Sequence, residues 1–202
     1  MRSSKRLQRR AGFTMLEALV VVSIIAITAA LAAPALSRSM AVRRANESTH
    51  DVVRMGALAR SEAMMYGRAH LLLFQSDGDG VLTVWRGRSD RCNGNLWFGG
   101  TIVDALCTRE RGCVERLSLQ DRYNMGSHHV ELASTDGVVG LCYQPNGELY
   151  TTTSASNFSF TNVTGGRTGV RFSLTRFENG SNANDVVRSV VFPYGGPPRI
   201  QR

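Results

Sequence analysis

The sequence predicts an α+β fold: a long N-terminal α-helix, transmembrane in its first half and amphipathic in its second, packed on a C-terminal antiparallel β-sheet or sandwich domain. Three features predict it. An apolar run fills residues 13–33, helical spacing of apolar residues continues from Ser37 to about Tyr66, and short β-type runs broken by turn residues occupy the chain after His70. With 202 residues and 43% hydrophobic content, the chain can bury one sizeable core and is short for two.

The first twelve residues are polar and hold Arg2, Lys5, Arg6, Arg9 and Arg10 without an acid. Taking these five from the formal charge of +8 leaves +3, too mild to indicate a nucleic-acid partner by net charge alone. Apart from Lys5, every Lys or Arg position is arginine, which suits bidentate phosphate contacts but is better read as the coding bias of a GC-rich genome.

Phe13 to Ala33 is 21 residues with Ser23 and Thr28 as the polar interruptions after Glu17. As a helix it reaches about 31 Å, enough to cross the hydrocarbon layer. Basic charge before it places the N-terminus in the cytoplasm and the chain beyond Pro34 outside. Three explanations compete: a cleaved secretory signal, for which Ala30-Leu31-Ala32 is an A-x-A match, a plain single-span anchor, and a prepilin signal. Glu17 decides among them, because a carboxylate inside an apolar stretch costs a few kcal/mol and asks for a partner.

Gly12-Phe13-Thr14-Met15-Leu16-Glu17, followed by an apolar helix with Pro34, resembles the class III signal of type IV pilins and type II secretion pseudopilins. The resemblance implies a prepilin peptidase that cuts after Gly12, methylation of Phe13 as the new N-terminus, and Glu17 as the carboxylate that pairs with a neighbouring subunit's terminal amine during assembly. Pro34 sits where the helix of that family commonly kinks or melts.

From Ser37 the helical pattern continues, with Val52, Met55, Ala59, Ala63 and Tyr66 forming an apolar stripe and Gly67 a C-terminal stop. Arg43 and Arg44 read as a solvated face, with lipid headgroups or anionic neighbours as the other use. Ala59-Arg60-Ser61-Glu62-Ala63 resembles the ARSEA signature of the GspH/FimT group of minor pilins and pseudopilins, which includes FimU. The implied organisation is a leader over 1–12, a transmembrane or filament-core helix over 13–36, an amphipathic helix over 37–68 and a β-rich domain over 69–202.

Expected strands are His70–Gln75, Val81–Arg86, Val130–Ala133, Val138–Gln144, Glu148–Thr152, Gly169–Arg176 and Val186–Pro193, the first two joined at a hairpin over Ser76-Asp77-Gly78-Asp79-Gly80. Asn157-Phe158-Ser159-Phe160 reads as a further alternating strand. Tyr143-Gln-Pro-Asn-Gly147 resembles the subfamily's F-x-x-x-G turn. The resemblance is strong over 13–74, diffuse over 130–202 and absent over 87–129, so 88–122 is expected to be a cysteine-bearing insert.

Cys92, Cys107, Cys113 and Cys142 all lie beyond the apolar segment, and an even count in an exported domain reads as two disulfides with three pairings open. Asp77 and Asp79 offer a weak Ca²⁺ site, but position twelve from Asp77 is Arg88 rather than an acid, and a tight turn is the better reading. His50, His70, His128 and His129 share no metal spacing. No nucleophile elbow, P-loop or dinucleotide fingerprint occurs, so neither an enzyme nor a cofactor is expected.

The expected role is a minor subunit of a type IV pilus or type II secretion pseudopilus, in priming, assembly or at the tip. Its partners would be other major and minor pilins or pseudopilins, the prepilin peptidase and the inner membrane. It would start as a single-pass inner-membrane protein and end in a periplasmic or extracellular filament. The alternative is a DNA-binding minor pilin for uptake, similar to FimT, with double-stranded DNA as a partner. Residues 165–202 hold six arginines against Glu178 and Asp185, a net +4. Arg167, Arg171, Arg188, Arg199 and Arg202 are the candidate contacts, and aromatics near Arg167 and Arg171 would stack on bases. The tail Gly195-Gly-Pro-Pro-Arg199-Ile-Gln-Arg202 departs from the glycine-arginine-x-arginine motif of those relatives, with prolines between and a spacing one residue too wide.

Overall fold

The computed structural model describes residues 13–75, 80–93, 97, 107, 112–124, 128–134, 137–154, 159–163, 169–178 and 181–201, with backbone only at 75, 128, 129 and 182–187. The chain divides into two compact units, Met1–Met40 and Ala41–Arg202. One helix, α1 (Met15–Tyr66), runs through both.

In the first unit Thr14 opens the helix, accepting from the Glu17 amide on both its hydroxyl (3.3 Å) and its carbonyl (3.1 Å). The Ser23 and Thr28 hydroxyls bond back to the carbonyls of Leu19 (2.8 Å) and Ile24 (2.9 Å), so these interruptions leave little polar demand on an apolar surrounding. The helix continues through Pro34, which lacks the N–H that would bond the Ala30 carbonyl.

In the second unit α1 buries Ala41, Ala45, Ser48, Thr49, Val52, Met55, Gly56, Ala59 and Ala63, a stripe at helical spacing made narrow by small residues. Gly67, at φ 63°, ends the helix in the left-handed region. Tyr66, expected in the stripe, is half-exposed instead, with the Arg86 guanidinium 4.4 Å over its ring.

Two antiparallel sheets complete the unit. The first has six strands in the order β3 (Cys113–Ser118), β2 (Val81–Arg86), β1 (His70–Gln75), β5 (Gly140–Tyr143), β6 (Leu149–Thr152), β7 (Thr161–Asn162). The second has β10 (Arg199–Gln201), β9 (Ser181–Phe192), β8 (Val170–Glu178) and β4 (His128–Ser134). Both faces of the first sheet are covered. Leu72, Phe74, Leu82 and Val84 join Val52, Met55 and Ala59 of α1 in the main core, whereas Leu71, Leu73 and Trp85 face a second cluster with Trp97, Phe160 and all four cysteines. This is why β1 reads Leu71-Leu72-Leu73-Phe74 rather than alternating. Phe172 links the two sheets, stacking on Phe74 at 4.0 Å between centroids and meeting Phe192 edge-on at 5.5 Å.

Several expectations are corrected. Two elements absent from the expected list fall in the last part of the insert proposed over 88–122: Cys113–Ser118 forms β3 and Leu119–Tyr123 the short helix α2, capped by the Ser118 hydroxyl on the Asp121 amide at 3.1 Å. Of the strand expected at 157–160, Asn157 and Phe158 lie outside the described residues, while Ser159 and Phe160 are not in a strand: Phe160 is turned into the second cluster against Trp97 at 6.0 Å, and the two residues of β7 follow it. The C-terminal segment does not end as a tail: Arg199–Gln201 pairs with Val191, Val190 and Ser189.

Candidate assembly and interaction sites

Phe13 and Glu17 lie in the first unit, where every residue from Phe13 to Met40 is exposed. Gly12 lies outside the described residues, as do Asp77, Asp79, Arg167 and Arg202.

Cys92 pairs with Cys142, closing a separation of 50 residues at 6.0 Å between Cα atoms, and Cys107 pairs with Cys113 across 6 residues at 5.1 Å. The first bridge fastens the insert to β5 at the centre of the six-stranded sheet. The second lies within the insert and ties Cys107 to the first residue of β3. Trp97 is buried in the second cluster and bridges to Gly87, whose missing side chain leaves room for the indole.

The described candidate arginines do not form one patch. Cross-strand pairing places Arg171, Val191 and Arg199 in one row across β8, β9 and β10, and both arginines are exposed beside a buried Val191. The Arg171 Nη2 donates to Gln201 Oε1 at 3.0 Å on the same face. Arg188 pairs with Leu174, so it belongs to the opposite, core-side face, in a groove with Asn46, Thr49, His50 and Ile200. Arg176, part of the basic count, is buried and 3.5 Å from Glu178.

On the helix, Asp51 is a hub. It accepts from the Tyr123 hydroxyl and pairs with Arg122 at 2.9 Å and Arg54 at 3.4 Å, while Arg54 reaches Glu115 of β3 at 2.6 Å. The Glu115 hydrogen bond is the main reason the Arg54 pKa is raised. Burial first, and then the Asp51 contact, raises that of Tyr123. Arg43, expected on a solvated face, pairs there with Glu47 at 2.9 Å.

The sequence reading missed a polar row beneath the end of α1. His70 sits opposite Arg86 on one side and Tyr143 on the other. Above the row, Ala59 and Ala63 are fully buried, and Arg60 and Glu62 reach down on either side of them. Arg60 Nη2 donates to the Gly195 carbonyl at 2.9 Å, and Glu62 approaches His70 and Arg86. Arg60 Nε, His70 Nε2, Arg86 Nε and the Tyr143 hydroxyl lack a hydrogen-bond partner among the described residues. Burial pushes the Tyr143 pKa up, and the Arg60 charge acts against that rise. The available signal was the pair of charges, Arg60 and Glu62, set between two alanines in the 59–63 string. Among the described residues no group of three or more His, Cys, Asp or Glu is placed to hold a metal ion.

Comparison with known families gives two matches. Residues 7–33 match the prokaryotic N-terminal methylation motif, and residues 48–180 match the family described as type II transport protein GspH. The second match runs through 87–129, where the sequence reading found no resemblance. No curated protein matches the chain significantly. Among solved structures, one crystal form of the type IV minor pilin FimU of Pseudomonas aeruginosa aligns at a TM-score of 0.42 with 14% identity, covering 78% of this chain and 92% of that one. A second crystal form aligns at 0.40 with 16% identity, covering 79% and 86%.

Proposed function

Because this chain belongs to the GspH family of type II transport proteins, we propose that it is a minor pilin or pseudopilin acting in assembly and priming, or at the tip, of a type IV pilus or type II secretion pseudopilus. One observation carries the reading: the apolar segment from Phe13 to Leu36, helical from Met15, is exposed throughout and contains one carboxylate, Glu17. Such a surface is covered by lipid or by the same helices of neighbouring subunits. In either setting a carboxylate persists only beside a cation. Cleavage between Gly12 and Phe13 creates that cation, the methylated amine of Phe13 on an adjacent subunit, and Glu17 receives it.

On this reading 1–12 is the leader, 13–36 the membrane and filament-core segment, 37–68 the amphipathic half of the helix and 69–202 the exported domain. The subunit waits in the inner membrane with its N-terminus in the cytoplasm and leaves it on assembly. Its partners are other pilins or pseudopilins and the prepilin peptidase, and its role is structural rather than catalytic. Mass spectrometry of the N-terminus from the native host should give methylated Phe13, and Glu17→Ala should fold but stay out of filaments. A terminus at Ala33, or normal incorporation of the variant, would sink the assignment.

A second reading, contact with double-stranded DNA, is favoured by the exposed Arg171 and Arg199 in one cross-strand row. Its ligand would be the phosphate backbone, without sequence preference.

A further inference from the structure

His70 enters the sheet below the last turns of α1 and is fully buried. Its Nδ1 lies 3.0 Å from the Arg68 carbonyl oxygen. A carbonyl only accepts, so Nδ1 carries the hydrogen of the neutral ring and Nε2 is a bare lone pair. That lone pair has no donor among the described residues. What it meets is a second acceptor, Glu62 Oε2, at 3.8 Å. The same Oε2 lies 3.5 Å from Arg86 Nη2. Two acceptors thus face each other across a gap that one proton would bridge. The remaining groups around the ring are Arg86 of β2 and Tyr143 of β5, its cross-strand neighbours, with Arg60 of α1 beside Tyr143.

We propose that His70 and Glu62 form a pH-sensitive fastener, in which a proton taken from solvent onto His70 Nε2 converts two opposed acceptors into an ion pair and draws Glu62 away from Arg86. No other bond changes. Arg86 keeps its stacking on Tyr66, and its guanidinium is left without an acid at a pocket of about 360 Å³ lined by Glu62, Tyr66, Gly112, Cys113 and Val114. Acidification therefore exchanges an internal pairing for a cation presented at that pocket.

The forces on the ring are opposed in the way a switch requires. Burial, the largest, pushes the His70 pKa below the ordinary 6.5. The Arg68 carbonyl and Glu62 pull it up, and Arg86 pushes it down. Because the folded value is the lower one, the stability tied to the neutral ring is complete above pH 6.5 and is lost as pH falls through the folded value.

The test is a pH titration of the full chain in detergent micelles by ¹⁵N NMR, following the imidazole nitrogens and the Arg86 Nε–H. The expected result is a neutral His70 with hydrogen on Nδ1, a single transition below pH 6.5, and an Arg86 resonance that moves with the same midpoint. Glu62→Gln removes the charge that pulls the value up, so its midpoint should shift to lower pH and the Arg86 response should vanish. His70→Asn, which keeps a short polar group near Arg68, should also abolish the Arg86 response. Hydrogen on Nε2 at neutral pH, an Arg86 signal indifferent to His70, or an unshifted midpoint in Glu62→Gln would each overturn the proposal.

Discussion

At position 56 an aromatic ring on the far side of the core dictates the absence of a side chain. A Cβ there would lie 2.2 Å from the Phe192 ring, and that ring is held edge-on against Phe172, so it has little freedom to retreat. Two effects of Gly56→Ala compete: alanine gains about 1 kcal/mol of helix propensity, while overpacking a filled core costs roughly 1–3 kcal/mol. The fixed ring lets the second win. Thermal unfolding of Gly56→Ala should show a lower melting temperature, and adding Phe192→Leu should recover part of the loss. A higher melting temperature for the single variant would show that the ring gives way. The 59–63 string follows the same logic: Ala59 and Ala63 bring the helix backbone close to the sheet, and that closeness lets Arg60 reach the Gly195 carbonyl and Glu62 reach His70 and Arg86. A short motif thereby acquires a physical reason.

At the scale of elements, the two disulfides differ in what they close. Chain-entropy reasoning assigns about 4 kcal/mol to a loop near 50 residues and about 2 kcal/mol to one near 6. Cys92→Ser/Cys142→Ser should therefore lower the melting temperature by about 10 °C and more than Cys107→Ser/Cys113→Ser does. The reverse order, or four free thiols in protein from the periplasm, would refute the assignment. The paired cysteines could not be read from the sequence because the insert that brings them together has no periodic pattern. Elements with strong local signals were legible: α1 ends at Tyr66 before Gly67, and β1 and β2 occupy the expected residues. Two edge strands, β3 and β10, were not. In β3 Glu115 and Arg116 interrupt the alternation, and these charges also protect an open sheet edge. In β10 a lone Ile200 after two prolines gives no pattern that propensity could detect, and pairing with β9 supplies its order. The polar row under α1 was invisible for a related reason: Arg86, His70 and Tyr143 are far apart in sequence and meet only through register.

For the molecule as a whole, the distribution of charge decides how much weight DNA contact bears. The six arginines of residues 165–202, against two acids, give a net +4 in sequence, but folding divides the four that are described. Arg176 is buried near Glu178, Arg188 turns to the core side beside His50, and Arg171 and Arg199 share the outer face of the four-stranded sheet. A contact built on two described arginines should release few counterions. With a slope near 0.9 per phosphate, the logarithm of affinity should fall with the logarithm of salt by about 2, far from the steep dependence of a dedicated DNA-binding protein. Anisotropy titration of double-stranded DNA against a variant lacking residues 1–40, at two salt concentrations, measures that slope directly. Arg171→Ala/Arg199→Ala should abolish the binding, whereas Arg188→Ala should leave it nearly unchanged because its side chain lies on the other face. Loss of binding on Arg188→Ala would move the contact to the helix-side groove. A slope several times larger would mean that many more cations contribute than this row contains. No binding by any of the proteins leaves the filament role as the sole use of the domain.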